Sequence, residues 1–290
     1  MSFGVEVGTN GEAFDWCRHC GVPGQLTAEH IPPRSSNNDS PVGRVVNPFK
    51  LDAVVQEVAA WNEGHVVSTL DPTCNHRASK WGYVKEYRRW FRLFEERARS
   101  IARLTHVDPL RGTEPFEIRL PYDVQPARFA RQVLGMFLAV QSTKDLFTTH
   151  STLSELIGPD PSDGQKRRST GLDIAPLHLY LSVYNANWKY LNQGMLTVET
   201  SLDRDGRLLP TPPQSLQPLF SETFILCLAP FAFVLTTRNA HDQGHEISDW
   251  TKWSVDLRLR KNQLLLVLPT ADRLHDTLRA MVYPDDYVIR

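Results

Sequence analysis

The chain has 290 residues, 41% hydrophobic and 22% charged. This is enough for an ordinary buried core and unlike a disordered or disulfide-stapled composition. Its 32 basic and 33 acidic residues nearly cancel, to a net charge of −1, so attraction to a polyanion must come from a local patch and not from the whole molecule. The first residues, MSFGVEVGTNGEAFDW, lack the basic stretch and apolar run of a secretory signal. The longest apolar stretch, Phe224 to Leu235, is interrupted by Pro230 and too short to span a bilayer. The expectation is a cytoplasmic protein with no membrane association, in which four cysteines do not imply disulfides.

The first chemistry-bearing segment is Cys17-Arg18-His19-Cys20-Gly21. Two thiolates on one tight turn, followed by glycine, suit a tetrahedral zinc ion. The same CxxC spacing also serves redox pairs, but those open a helix, whereas Val22-Pro23-Gly24 is a turn. Leu26 to Glu29 then reads as a strand that ends at His30-Ile31-Pro32-Pro33. Adjacent strand residues face opposite ways unless the strand bends, and the two prolines are where Glu29 and His30 could be brought to one site. Leu51 to Trp61 reads as a helix and His65 to Thr69 as a second strand. Next comes Asp71-Pro72-Thr73-Cys74-Asn75-His76, a second half-knuckle opening a helix.

From Arg77 to Arg103 there are nine basic and three acidic residues. Trp81, Val84, Tyr87, Phe91, Phe94, Ala98 and Ile101 follow steps of three and four. The pattern predicts one long amphipathic helix over Ala78 to Leu104 with a basic outer face that includes Lys80, Arg88, Arg92 and Arg99. That face is either simply solvated or holds phosphates.

In order and local sequence, CxxC, then Glu-His-Ile-x-Pro, then xxxCN opening a helix, the segment from Trp16 to Arg103 resembles the zinc-bearing HNH endonucleases of the ββα-metal type. The resemblance covers the N-terminal third only. It implies a β-hairpin and helix around a catalytic Mg²⁺ or Mn²⁺, with His30 as general base, a task suited to a side chain that titrates near neutrality. Glu29 and Asn75 would be the oxygen ligands of the hard cation, which would stabilise charge on the scissile phosphate. The central Asn or His of the motif falls on His65, with Asn62 and Asn47 as alternatives. Two features depart from the family. Asp71 stands where a cysteine is usual, so the structural zinc set would be Cys17, Cys20, Asp71 and Cys74, with His76, His19 and Cys227 competing for the fourth place. The alternative is no ion at all, the thiols packing as small apolar groups. The other departure is a long gap between His30 and Asn75. Asn75 also suits a helix N-cap.

Val107 to Gly112 is turn-rich and marks the expected boundary between a module over residues 1–108 and a second domain over 109–290. In the second, Phe116 to Leu120 alternates as a strand, and Pro126 to Val140 reads as a helix, continued by Thr149 to Leu156. Gly158 to Gly171 reads as a loop. Leu177 to Tyr184, Met195 to Ser201, Arg207 to Leu209, Phe224 to Thr236, Val255 to Arg260 and Gln263 to Val267 read as strands, with a hairpin turn at Asp203 to Gly206. Short turns imply antiparallel pairing. His241 to Glu246 collects metal-ligand types but reads as a solvated loop, and Tyr180, Tyr184, Trp188 and Tyr190 read as packing residues before base-stacking ones.

The fold class expected is α+β: an N-terminal ββα-metal module with structural zinc and a C-terminal, β-rich antiparallel domain. The function expected is hydrolysis of phosphodiester bonds in nucleic acid, with DNA the favoured substrate. The second domain is assigned to recognition, to a regulatory partner or to homodimer formation. The rival is a zinc-knuckle module that binds nucleic acid or protein without cutting. The joint presence of Glu29, His30 and Asn75 argues for the enzyme.

Overall fold

The structure is a computed structural model. It describes residues 6–7, 13–17, 19–36, 66–105, 115–140, 153, 156, 171–183, 196–198, 223–228, 230–237, 244–254, 257–259 and 264–269. It is a mixed helix and sheet fold with small antiparallel sheets. His65, Asn62, Asn47, the helix expected over Leu51 to Trp61, the strand over Arg207 to Leu209 and the hairpin turn before it lie outside the described residues.

Strands β1 (Glu6–Val7), β2 (Ala13–Trp16), β3 (Pro23–His30) and β4 (Val66–Leu70) form one antiparallel sheet in chain order. A bulge at Thr27/Ala28 shifts the β3–β4 register, and a bulge re-aims the side chains that follow it. Helix α1 (Pro72–Lys80) starts two residues after β4 and packs on β3, completing a strand–strand–helix unit. Pro at the first helical position costs nothing because its missing N–H would be unpaired there anyway.

The single helix expected over Ala78 to Leu104 is two helices. α1 stops at Lys80, and α2 runs Tyr83–Thr105. Gly82 lies between them at φ 74, a left-handed conformation that glycine reaches without steric cost and that terminates a helix. The buried face of α2 is Tyr83, Tyr87, Trp90, Phe91, Phe94 and Ala98, slightly rotated from the predicted stripe because Val84 and Ile101 are only partly buried.

Strand β5 (Phe116–Leu120) pairs with β11 (Leu264–Leu268), and its strict in–out alternation follows the pleat. Helix α3 (Pro126–Val140) is buried almost all round and packs against α2, β4 and a short helix α4 (Ser248–Lys252). A five-stranded antiparallel sheet has the order β10-β6-β9-β8-β7, with β6 His178–Val183, β7 Leu196–Val198, β8 Thr223–Leu228, β9 Phe231–Thr236 and β10 His245–Glu246. The single strand expected over Phe224 to Thr236 is therefore a hairpin, β8 and β9, pairing Leu228 with Phe231 around Pro230. Apolarity is continuous across the turn because β9 is buried on both faces, so the pattern carries no mark of the reversal beyond the proline. His245–Glu246, expected in a loop, is an edge strand on β6. Residues 257–259 are not a strand.

One large core joins Ile31 and the buried face of α2 to α3, β5, β6, β9 and β11. At its centre Phe231 lies against five aromatic rings, those of Tyr87, Phe91, Phe94, Phe129 and Phe233, with centroids 4.7–6.5 Å away. Phe231→Ala is expected to cost about 3–5 kcal/mol through lost burial plus the cavity left behind. A thermal or urea unfolding curve measures it, and a loss under about 1 kcal/mol would mean that this cluster is not the packing centre. Tyr180 is fully buried, in accord with the packing role read for it. Among the described residues no helix is long and apolar enough to cross a membrane.

Candidate metal centre and the β3–α1 site

The knuckle forms where β2 ends. Cys17 N–H donates to the Val22 carbonyl at 2.9 Å and Gly21 N–H to the Cys17 carbonyl at 2.9 Å, with Gly21 at φ 69. That left-handed glycine lets the chain reverse within the CxxC turn. The β4–α1 junction faces it. The donor atoms of Cys17, Cys20, Asp71 and Cys74 all lie within 4.8 Å of one another. A tetrahedral zinc with bonds of about 2.3 Å to sulfur needs donor–donor edges of about 3.8 Å, so the set needs only a small contraction to hold such an ion. The three thiols are free cysteines, and the Cys₃Asp cluster can hold a metal ion such as zinc.

Asp71 does two jobs. Its Oδ1 accepts the backbone N–H groups of Thr73 at 2.8 Å and Cys74 at 2.9 Å, which caps α1, and its Oδ2 accepts the Cys20 thiol at 3.1 Å. Its own N–H donates to Cys17 Sγ at 3.4 Å. Asp71, not Asn75, is thus the N-cap. Asn75 lies one turn into the helix, with its N–H bonded to the Asp71 carbonyl at 3.0 Å. Aspartate in a place where the resembled family has cysteine has a local reason: it supplies a helix cap that a thiol supplies poorly, and it still presents an anionic oxygen. Burial works to raise the Asp71 carboxyl, but bonds from Cys17, from the Cys74 N–H and from the thiols of Cys74 and Cys20 outweigh it, and the group stays well below the usual carboxylate range. The Cys74 thiol, hydrogen-bonded to Cys17, brings that thiol down to about 6. The reciprocal bond and burial push Cys74 up, and burial pushes Cys20 up to about 11. The cluster holds one easily formed thiolate beside an ionised carboxylate, an anionic nest for a cation.

Neither histidine that competes for the fourth place joins the cluster. His76 is exposed on α1. Cys227 sits in β8 of the five-stranded sheet. His19 turns inward, 5% exposed, toward Gly135 of α3, where a Cβ on Gly135 would stand 3.7 Å from its ring. Burial lowers His19 to about 4, so its ring is neutral at physiological pH, and its Nε2 has no hydrogen-bond partner.

Glu29 faces the same interior. With His19, Tyr83, Arg131 and Gln132 it lines a cavity with room for about one water. Its Oε2 is buried without a hydrogen-bond partner, and burial, with the nearby Cys17 charge, raises its pKa to about 8. Neither His30 nor Asn75 lines that cavity. His30 Nε2 is buried and also unpartnered. Asn75 instead ties α1 to β3, its Nδ2 donating to Thr27 Oγ1 at 3.1 Å and to the Ala28 carbonyl at 3.4 Å, beside the Glu29-His30 pair. Among the described residues the Cys₃Asp cluster is the one group of three or more histidine, cysteine or acidic ligands. Glu29, with one carboxylate oxygen buried, and Asn75, with its amide nitrogen engaged, do not by themselves provide the oxygen cage of a hard divalent cation.

Because the Glu29 carboxyl is raised in the folded state, its neutral form is favoured there. Folding is undisturbed by it below the ordinary carboxyl value of 4.5, and stability falls as pH rises from there through about 8. Glu29→Gln should flatten this part of the stability–pH curve. If the variant shows the wild-type slope between pH 5 and 8 in urea titrations, the carboxyl is not desolvated as described.

The motif spacings give no sign of the inward roles of His19 and Arg131, and the zinc reading of Asp71 leaves out its capping role. The last was legible in principle, since aspartate two residues before Thr73 and followed by proline is a helix-start signal. Near β10, His178 Nδ1 bonds Glu246 Oε1 at 2.7 Å, and the same oxygen accepts Ser248 Oγ at 2.9 Å, a local polar cluster with no metal-binding group among the described residues. Comparisons of the chain with protein-family models, with curated proteins and with solved structures each found no match.

Proposed function

We propose that the N-terminal unit is a nuclease module of the HNH type, stabilised by zinc on Cys17, Cys20, Asp71 and Cys74, that hydrolyses phosphodiester bonds in nucleic acid, with DNA the expected substrate. The observation that carries the reading is the Asn75 amide bridging α1 to the bulged strand at Thr27 and Ala28, immediately before Glu29-His30. Asn75 thereby lies beside the Glu29-His30 pair at one strand–helix junction, next to the Cys₃Asp cluster at the start of α1. In the reaction His30 takes a proton from water, the water oxygen attacks phosphorus, and the bond to the 3′ oxygen breaks, that oxygen taking a proton from solvent. Asn75 keeps β3 and α1 in register so that His30 stays oriented. The resemblance implies Mg²⁺ or Mn²⁺. Glu29 and Asn75 do not by themselves complete the oxygen cage of such an ion. Residues 109–290 would serve recognition, a regulatory partner or self-association, in the cytoplasm.

A second reading, a zinc-knuckle module that binds without cutting, is favoured by one observation: Glu29 lines the interior cavity with His19 and Arg131 and has its Oε2 buried there, turned away from solvent. Incubation of the purified chain with plasmid DNA, with Mg²⁺ or Mn²⁺ and then with EDTA, separates the two. Cleavage that EDTA stops supports the nuclease. Binding without cleavage under all these conditions supports the second reading.

A further inference from the structure

We infer that the solvent face of α2 is a rail for the phosphate backbone of double-stranded nucleic acid, gripping it without regard to sequence. The inference deepens the nuclease reading, on which it rests only for why a duplex is brought to this molecule. Structure sorts the cations of α2 into two sets. Arg89 is committed to the Asp123 side chain, and Arg97 donates to the Glu117 carbonyl at 2.9 Å. These two serve the fold. Lys85, Arg88, Arg92, Arg99 and Arg103 are exposed, and Glu96 is the one acid in their row. Among the described residues only Arg99 of this row touches an acid, Glu95 at 3.5 Å. The steps from 85 through 88, 92, 96, 99 to 103 are threes and fours, so the row runs straight down one side of the helix for about 27 Å at 1.5 Å per residue.

Three properties of this face choose among polyanions. A single strand is held by aromatic platforms that stack its bases, and every aromatic of α2 (Tyr83, Tyr87, Trp90, Phe91 and Phe94) is buried in the core. An anionic membrane is gripped by an amphipathic helix through its apolar face, and the apolar face of α2 is spent on α3 and β9. A duplex needs neither. It offers one negative charge per about 1.7 Å of axis, a line of charge as stiff and as long as the row of cations. Phosphate contacts of this kind position a duplex and read no bases. Lys80, grouped with this face on sequence, belongs to α1, beyond the break at Gly82.

The test is binding of the zinc-loaded full chain, without added Mg²⁺ or Mn²⁺, to a short labelled duplex, to oligo-dT of equal length and to phosphatidylserine vesicles. Five phosphate contacts give a slope of log affinity against log salt of about −4.5, a loss of about 500-fold between about 50 and 200 mM salt. The triple variant Arg88→Gln, Arg92→Gln, Arg103→Gln should show a slope of about −1.8, a loss of about 12-fold over the same range, with an unchanged melting temperature and the same loss on unrelated duplex sequences. An unchanged slope in the triple variant would overturn the rail, as would tighter binding to oligo-dT or to vesicles than to the duplex. Adding Mg²⁺ afterwards tests the nuclease reading separately. A chain that binds with the expected slope and never cuts keeps the rail and loses the nuclease, and one that cuts with an unaffected triple variant does the reverse.

Discussion

Cys74→Ser should release the metal and unfold the N-terminal unit before the rest. Protein purified without chelator is expected to carry about one zinc per chain, and the variant none. Cys17 and Cys74 are buried in a small cluster with Leu26 and Leu70, so in the variant the lost ligand also leaves a hydroxyl among apolar neighbours. Structural zinc contributes about 10–16 kcal/mol of binding free energy in small domains. Forfeiting even 3 kcal/mol of it would lower the melting temperature by roughly 6–12 °C in a protein of this size. The double role of Asp71 makes the prediction sharper. Asp71→Asn keeps an oxygen for the Thr73 and Cys74 N–H groups but loses the anion, so α1 should persist while zinc affinity falls. Asp71→Cys restores a thiolate and gives up the cap, so zinc should be retained at a cost of about 1 kcal/mol. Metal analysis with a thiol-reactivity assay decides the matter: a stable, zinc-free wild type with all three thiols freely reactive would remove the metal from the account.

His30→Ala is expected to lower cleavage by about 10²–10⁴-fold, the contribution of a general base, and to leave duplex affinity and melting temperature close to wild type, because the base acts mainly in the transition state. Asn75→Ala should behave differently. It removes the bonds to Thr27 and Ala28, so it should lose roughly 1 kcal/mol of stability along with rate. Single-turnover cleavage beside thermal unfolding distinguishes the two variants. If His30→Ala cuts at the wild-type rate, the β3–α1 junction is not the active centre.

Much of the candidate site was legible along the chain. Cys17, Cys20, Asp71 and Cys74 were readable because zinc ligands come in fixed short spacings, and the structure brings these four together. The strand Phe116–Leu120 and the helix Pro126–Val140 have the boundaries their periodicities predicted. Less was legible where a signal is shared. Gly82 inside an amphipathic run looks like a tolerated helical glycine, and only the left-handed backbone identifies it as an end. The β8–β9 hairpin hid in one apolar run because strands buried on both faces show no alternation.

Local pattern alone determined what depends on neighbours in sequence: the knuckles, the α+β class with its antiparallel pairing, and the basic, amphipathic character of α2. Tertiary structure decided what depends on direction. Glu29 and His30 are adjacent in the chain, yet only Glu29 lines the interior cavity, beside a histidine from the knuckle and an arginine from α3. No spacing rule encodes that, because it follows from the bulge at Thr27/Ala28 and from which elements pack behind β3. The same holds for the cations of α2. All are alike in sequence, and it is the positions of Asp123 and Glu117, brought in from outside the helix, that engage Arg89 and Arg97 in contacts of the fold.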